Sequence, residues 1–200
     1  MKSLQLPTIP FTFEWYNEPK DWINENNNLI IISKAKTDLF IDPLDLQEID
    51  SAPAALFVPP DPCYIFGAKV SVDFKDVFDA GVLHIRSSKD NWAKLCFEFS
   101  PQKTPTVVSV VTQGSSDDCN SSTIGGNQVF LRMAVQPEVI GFHYSLDGAY
   151  WNMVRYFKLK YLNEIRIGFS AQSPNGQGCQ AAFSEIFYRQ GSLTDFRNGE

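Results

Sequence analysis

Between positions 81 and 99 the chain reads GVLHIRSSKDNWAKLCFEF, with apolar and polar residues alternating on both sides of a turn-rich break at 87–91. A period of two is that of a strand with one face buried, so this stretch is a strand, a hairpin connection and a second strand. Leu83, Ile85, Ala93, Leu95 and Phe97 form the apolar side, while the other side carries His84, Arg86, Lys94 and Glu98 in place of Thr and Ser. A sheet with one apolar and one charged face can pack on a core and still offer a binding surface.

The same pattern recurs along the chain. Runs of Val, Ile, Phe and Thr at 11–16, 29–33, 65–74, 81–86, 93–99, 106–112, 128–134, 139–145, 165–170 and 181–188 are separated by Gly, Pro, Asn and Ser at short intervals. That number of strands, with few helix-period stretches, specifies an all-β, two-sheet antiparallel sandwich. The one helical candidate is a turn or two at 42–49, where Pro43 suits a first helical position. The stretch 42–62 holds five prolines and, before Asp61, four acidic residues, and reads as a surface insertion. It is either a solvated loop or a lid. An irregular segment is expected at 113–127, an Asp147-Gly148 turn closes a hairpin across 142–151, and the tail after 190 reads as polar and frayed. With 200 residues, 44% of them hydrophobic and 16 of them Phe, the chain has enough apolar surface for one well-cored domain.

Charge and motifs exclude several functions. A formal net charge of −6 works against a nucleic-acid partner, whose phosphates demand clustered Lys and Arg. No apolar run is long enough for a membrane span, and none before Pro7 and Pro10 serves as a signal-peptide core. A cytoplasmic location with reduced thiols follows as the expectation. Cys63, Cys96, Cys119 and Cys179 form no C-x-x-C pair, and His84 and His143 have no metal-type spacing, so neither metal nor other cofactor is expected. No Gly-x-Ser-x-Gly elbow surrounds a serine. Glu48-Ile49-Asp50 is the nearest approach to a glycanase carboxylate pair, but a third acid is missing and Pro53 is ill-suited to a central strand. No catalytic residue is assigned.

Strand parity supplies the candidate binding residues. If Leu83, Ile85, Leu95, Phe97, Val108, Val110, Leu131, Met133 and Phe142 face the core, then His84, Arg86, Lys94, Glu98, Ser109, Arg132, His143 and Ser145 share the opposite, concave face. Lys94 and Glu98 stand about 13 Å apart along one strand, a span that brackets a small polar ligand. Arg86 and Arg132 have the fork geometry for a carboxylate, a phosphate or sugar hydroxyls. The alternative is a cross-strand network that keeps an exposed sheet soluble. Trp92 reads equally as a stacking platform or an edge-closing ring, and Trp151 as structural.

The segments 81–86 (GVLHIR), 91–94 (NWAK), Phe97-Glu98, 109–112 (SVVT) and 144–151 (YSLDGAYW), with 36–40 (KTDLF) before them, resemble the concanavalin-A-like jelly-roll family of uncharacterised domains that includes the yeast regulation-of-enolase protein. The likeness runs from about residue 11 to 188 and is nearest to that yeast member. It implies a jelly roll in a superfamily that also holds lectins and glucanases. It further implies a noncatalytic, cytoplasmic regulatory or interaction module with enolase as a protein partner. The residues themselves leave two other functions open: binding of a carbohydrate or small polar metabolite on the concave face, and glycoside hydrolysis.

Overall fold

A computed structural model describes residues 3–137, 139–160 and 164–200. The architecture is an antiparallel jelly-roll sandwich. Its first sheet has eight strands in the order β1-β2-β7-β16-β9-β10-β11-β12. These are β1 (Ser3–Leu6), β2 (Ile9–Tyr16), β7 (Ala54–Phe57), β9 (Ala80–Arg86), β10 (Asn91–Phe99), β11 (Pro105–Gln113), β12 (Ser116–Thr123) and β16 (Arg166–Gln172). The second has seven, β15-β14-β13-β8-β17-β4-β3: β3 (Asp21–Glu25), β4 (Asn28–Ile32), β8 (Tyr64–Val72), β13 (Gln128–Gln136), β14 (Val139–Ser145), β15 (Asn152–Lys158) and β17 (Gln180–Gln190). A separate hairpin pairs β5 (Leu39–Ile41) with β6 (Glu48–Asp50).

The core lies between the inner faces of the two large sheets. Phe13, Phe57 and Phe169 from the first sheet interleave with Phe66 and Phe183 from the second, with ring centroids 4.6 to 5.7 Å apart along the series 13–57–66–169–183. Tilted and edge-on aromatic contacts at such distances hold two sheets in one fixed register, and each fully buried Phe contributes roughly 2–3 kcal/mol. Asp79, completely buried, organises the β8–β9 connection. Its carboxylate accepts the N–H groups of Lys75 and Asp76 at 2.9 Å and the hydroxyl of Ser173 at 2.6 Å.

All ten expected strands form, and seven more join them. Four expectations change. The 42–49 stretch is no helix, because Asp42 and Gln47 close the β5–β6 turn. The second half of the 42–62 insertion is not surface: Ala54–Phe57 is β7, wholly buried between β2 and β16. Alanines and a Leu-Phe pair there suit a central strand, and Pro53 stands just before it. The 113–127 segment contains edge strand β12, polar because its outer side meets solvent. The tail folds back onto the second sheet, where Leu193 and Phe196 are buried against Ile65 and Ala134.

Candidate functional site

On the outer face of the eight-stranded sheet, cross-strand pairing sets residues in rows. One row runs Arg166, Arg86, Trp92, Thr112 and Ser116; the next runs Glu14, Leu56, Gly168, His84, Lys94, Val110 and Asp118. The expected polar set is therefore divided. His84, Arg86, Trp92, Lys94 and Glu98 share this face, as parity on β9 and β10 requires. Arg132 and His143 lie on β13 and β14 of the other sheet, directly across from each other on its outer face, so the whole core separates the two groups. A single cavity holding all seven residues does not exist. Alternation tells which residues of a strand share a face, but not which sheet the strand joins.

On β11 the alternation runs in the opposite phase to the one expected. Val107 and Val111 enter the core while Val108 and Val110 face outward, and Ser109, paired with Leu95, points inward. The run Val107-Val108-Ser109-Val110-Val111 is apolar on both faces, so it carries no alternation to read. The register with β10 decides it.

Arg132 and His143 are covered by the tail. The Arg132 guanidinium stacks 4.2 Å from the Trp151 ring and donates to the Gly199 carbonyl. His143 Nε2 lies 2.7 Å from the Phe196 carbonyl oxygen, which accepts its proton. Burial pushes the His143 pKa down to about 4, so the ring is neutral at physiological pH. The tail thus occupies the space in which a ligand of these two residues would sit.

The other group is covered by the β5–β6 hairpin. Lys94, 3% exposed, donates to Asp38 Oδ1 at 3.1 Å, to the Leu39 carbonyl at 2.7 Å and to Gln172 Oε1 at 2.9 Å, which uses all three ammonium protons. Burial by itself would lower the Lys94 pKa, but the pull of Asp38 and the neighbouring acidic groups outweighs it and leaves the pKa raised. Trp92 packs beneath the hairpin with Leu39, Ala52 and Val110, and its indole N–H donates to the Lys89 carbonyl. It lies on the outer face of an inner strand, sealed under the hairpin, so it neither closes the sandwich edge nor offers an exposed face for stacking. His84 is fully buried at an edge-on angle to Trp92, and burial, with Arg86 and Lys94 nearby, holds it well below the usual histidine pKa. Among the described residues neither of its ring nitrogens has a hydrogen-bond partner. Glu98 is 8% exposed, and burial lifts its carboxyl to a pKa of about 8.

Of the predicted set, Arg86 lines an open cleft among the described residues. This cleft has a volume of about 560 Å³ and is lined by Glu14, Tyr16, Leu56, Arg86, Ser87, Ser88, Lys89, Glu164 and Arg166, with Trp15 at its base. The Arg86 guanidinium lies 3.9 Å from the Tyr16 ring centroid, and Nη1 stands 3.6 Å from Asp50 Oδ1. The Tyr16 hydroxyl donates to the other Asp50 oxygen. Arg166, directly across from Arg86, bridges Glu14 at 2.8 Å and Glu164 at 3.5 Å, so two like charges on neighbouring strands each have acidic partners. The cleft draws on positions near 14, 56, 86 and 165, so no local motif could have announced it. Its clearest trace was Arg86, and Asp38 and Asp50 stood only in segments noticed for other reasons.

Such a cleft combines an apolar floor of Leu56 and Tyr16 with a rim of hydroxyl, guanidinium and carboxylate groups. That mixture can accept and donate hydrogen bonds to neighbouring hydroxyls while a C–H face rests on the floor. Cys96 and the other cysteines are free, and among the described residues no helix is long and apolar enough to cross a membrane.

The fold recurs in proteins of known structure. A functionally unknown protein from Saccharomyces cerevisiae superposes with a TM-score of 0.81 at 23% identity, over 90% of this chain and 97% of that one. The GH43 protein BlXynB from Bacillus licheniformis gives 0.73 at 15% identity, over 90% of this chain but 37% of its own length. The carbohydrate binding module CBM66 from Bacillus subtilis gives 0.56 at 10% identity, over 88% and 95% of the two chains. At these identities the likeness is one of fold. No curated protein sequence matches the chain. Across residues 15–190 the sequence matches the family described as Protein of unknown function (DUF1349), and the chain belongs to that family.

Proposed function

We propose that this protein is a noncatalytic carbohydrate-binding module that uses the cleft on the outer face of its eight-stranded sheet. The observation that carries the proposal is the Glu14–Arg166–Glu164 bridge beside the Tyr16 and Leu56 floor, with Arg86 at its end. Guanidinium and carboxylate groups side by side match the paired donors and acceptors of vicinal sugar hydroxyls. A fold neighbour named as a carbohydrate binding module, CBM66 from Bacillus subtilis, supports the same class of ligand. Hydrolysis is the less favoured activity: Glu98, the carboxyl suited by its raised pKa to act as an acid, does not line the cleft. An interaction module directed at enolase rests on the family resemblance alone. A cytosolic setting is part of the proposal.

The test is calorimetric titration with a panel of neutral and acidic oligosaccharides, xylotriose and trigalacturonate included. At least one saccharide should bind with a Kd of about 1 mM or tighter, and Arg166→Ala or Tyr16→Ala should weaken it roughly tenfold or more with the fold intact. Absence of heat from every saccharide at millimolar concentration refutes the proposal.

A further inference from the structure

The β5–β6 hairpin and its flanks, 38–50, contain Asp38, Asp42, Asp45, Glu48 and Asp50 and no Lys, Arg or His. Every described ion pair between it and the sheet beneath runs the same way, acid above and base below: Asp38 to Lys94, Asp50 to Arg86, and Glu48 to Lys89 at 2.6 Å. The hairpin joins no ladder of either large sheet. It is held instead by these pairs, by the Tyr16 hydroxyl on the second Asp50 oxygen, by the Asn17 amide on the Asp50 carbonyl at 3.0 Å, by the Ile41 N–H on the Ser116 hydroxyl, by the Thr37–Ser173 bridge and by Leu39 on Trp92 and Val110. Its tip exposes Leu44 and Leu46. A two-stranded hairpin held mainly by side chains is marginal by itself.

The Asp50–Arg86 contact is the loosest of the buried links. Although both atoms are buried, Arg86 Nη1 and Asp50 Oδ1 make no hydrogen bond with any described residue. Arg86 also lines the open cleft, so this incomplete pair stands where cleft and hairpin meet. Beyond it lies His84, two residues along β9, with both nitrogens unpartnered, and across from His84 lies Lys94. Lys89, Arg86 and Lys94 thus lead from the rim of the cleft to its covered end, the last two as diagonal neighbours about 7–8 Å apart along the sheet.

We propose that the β5–β6 hairpin is a displaceable acidic cover over a basic extension of the cleft, and that this extension takes the carboxylates of an acidic, uronate-type saccharide. The inference rests on the carbohydrate-binding function proposed above and names its ligand class. A ligand carboxylate replaces Asp50 on Arg86 and gains the fork of N–H···O bonds that Asp50 does not complete. A second carboxylate replaces Asp38 on Lys94, and ligand hydroxyls meet the His84 nitrogens. The Ser87 and Ser88 hydroxyls on the rim, beside the Arg166 bridge, favour a saccharide over an acidic peptide.

Hydrogen–deuterium exchange on the unmodified protein tests this with trigalacturonate, xylotriose and a synthetic peptide of residues 38–50 as probes. Trigalacturonate should speed exchange of the hairpin amides about tenfold, and the double change Asp38→Asn with Asp50→Asn should tighten its binding by a similar factor. Xylotriose should leave hairpin exchange unchanged. If xylotriose binds the cleft and trigalacturonate neither binds more tightly to the double variant nor opens the hairpin, the cover is overturned and the carbohydrate function survives. If no saccharide binds, both fall. Opening by the peptide but not by trigalacturonate also overturns the inference, in favour of a protein partner. Should the double variant fail to fold, exchange in the unmodified protein decides alone.

Discussion

Replacing Glu98 by Gln should make the protein more stable at mildly alkaline pH and flatten its pH dependence. Glu98 sits on β10 between Ala80 and Thr106, beside a patch of Val82, Cys96 and Val108. Burial raises its pKa from 4.5 to about 8, Lys94 opposes that shift, and Asp38 and Asp118 add to it. The folded state therefore holds a proton that the unfolded chain releases above pH 4.5, and stability falls as pH rises from 4.5 to about 8. At about 1.4 kcal/mol per unit, the loss over that interval is on the order of 4–5 kcal/mol. The histidines have the opposite sign: His143, with a folded pKa of about 4, and His84, also lowered, reduce stability as pH falls below the usual value of 6.5. Between pH 6.5 and 8 Glu98 acts without them, and the wild type should lose about 2 kcal/mol there. Gln has the shape of protonated Glu and no charge to desolvate. Glu98→Gln should show little slope in this window and exceed the wild type at pH 8 by up to about 4 kcal/mol. Urea denaturation followed by circular dichroism at pH 6.5, 7.2 and 8.0 measures both quantities. A variant with an undiminished slope, or less stable than wild type at pH 8, would show that the Glu98 carboxyl is ionised and satisfied in the fold, and the reasoning would fail.

Two further substitutions probe the same face. Lys94→Met strips Asp38, the Leu39 carbonyl and Gln172 of their shared donor and should cost about 3–5 kcal/mol in urea unfolding, with Asp38→Leu in the same chain recovering at least half. Gly168→Ala should cost about 3 kcal/mol, read as a Tm drop of about 6–12 °C, because a Cβ there would overlap the Ala55 carbonyl oxygen and force β7 from β16; an unchanged Tm would mean that the strands give way freely.

Much of the site was legible in β9 and β10. His84, Arg86, Lys94 and Glu98 alternate with Leu83, Ile85, Leu95 and Phe97, and the structure places both sets as parity demands. What was not legible is that these side chains are covered. A hairpin at 39–50 and a tail at 191–200 reach them across long sequence separations, and neither segment has the strong periodicity that marks a strand. Arg132 and His143 alternate as cleanly as His84 and Arg86 do, yet they belong to the opposite surface of the sandwich. Glu14 and Arg166 meet at 2.8 Å from strands at opposite ends of the chain.

Alternation with a period of two is a local property, imposed by the backbone of each strand, and for that reason the amino-acid order alone determined that this chain is all-β, that it has apolar residues enough for a core and that β9 and β10 present charge outward. Sheet membership, the inward turn of Ser109 and the acidic cover on Lys94 and Arg86 were decided only by the tertiary structure. They depend on which strands pair and what packs over them, and those choices are made by hydrogen-bond register and side-chain contact between segments that share no sequence neighbourhood.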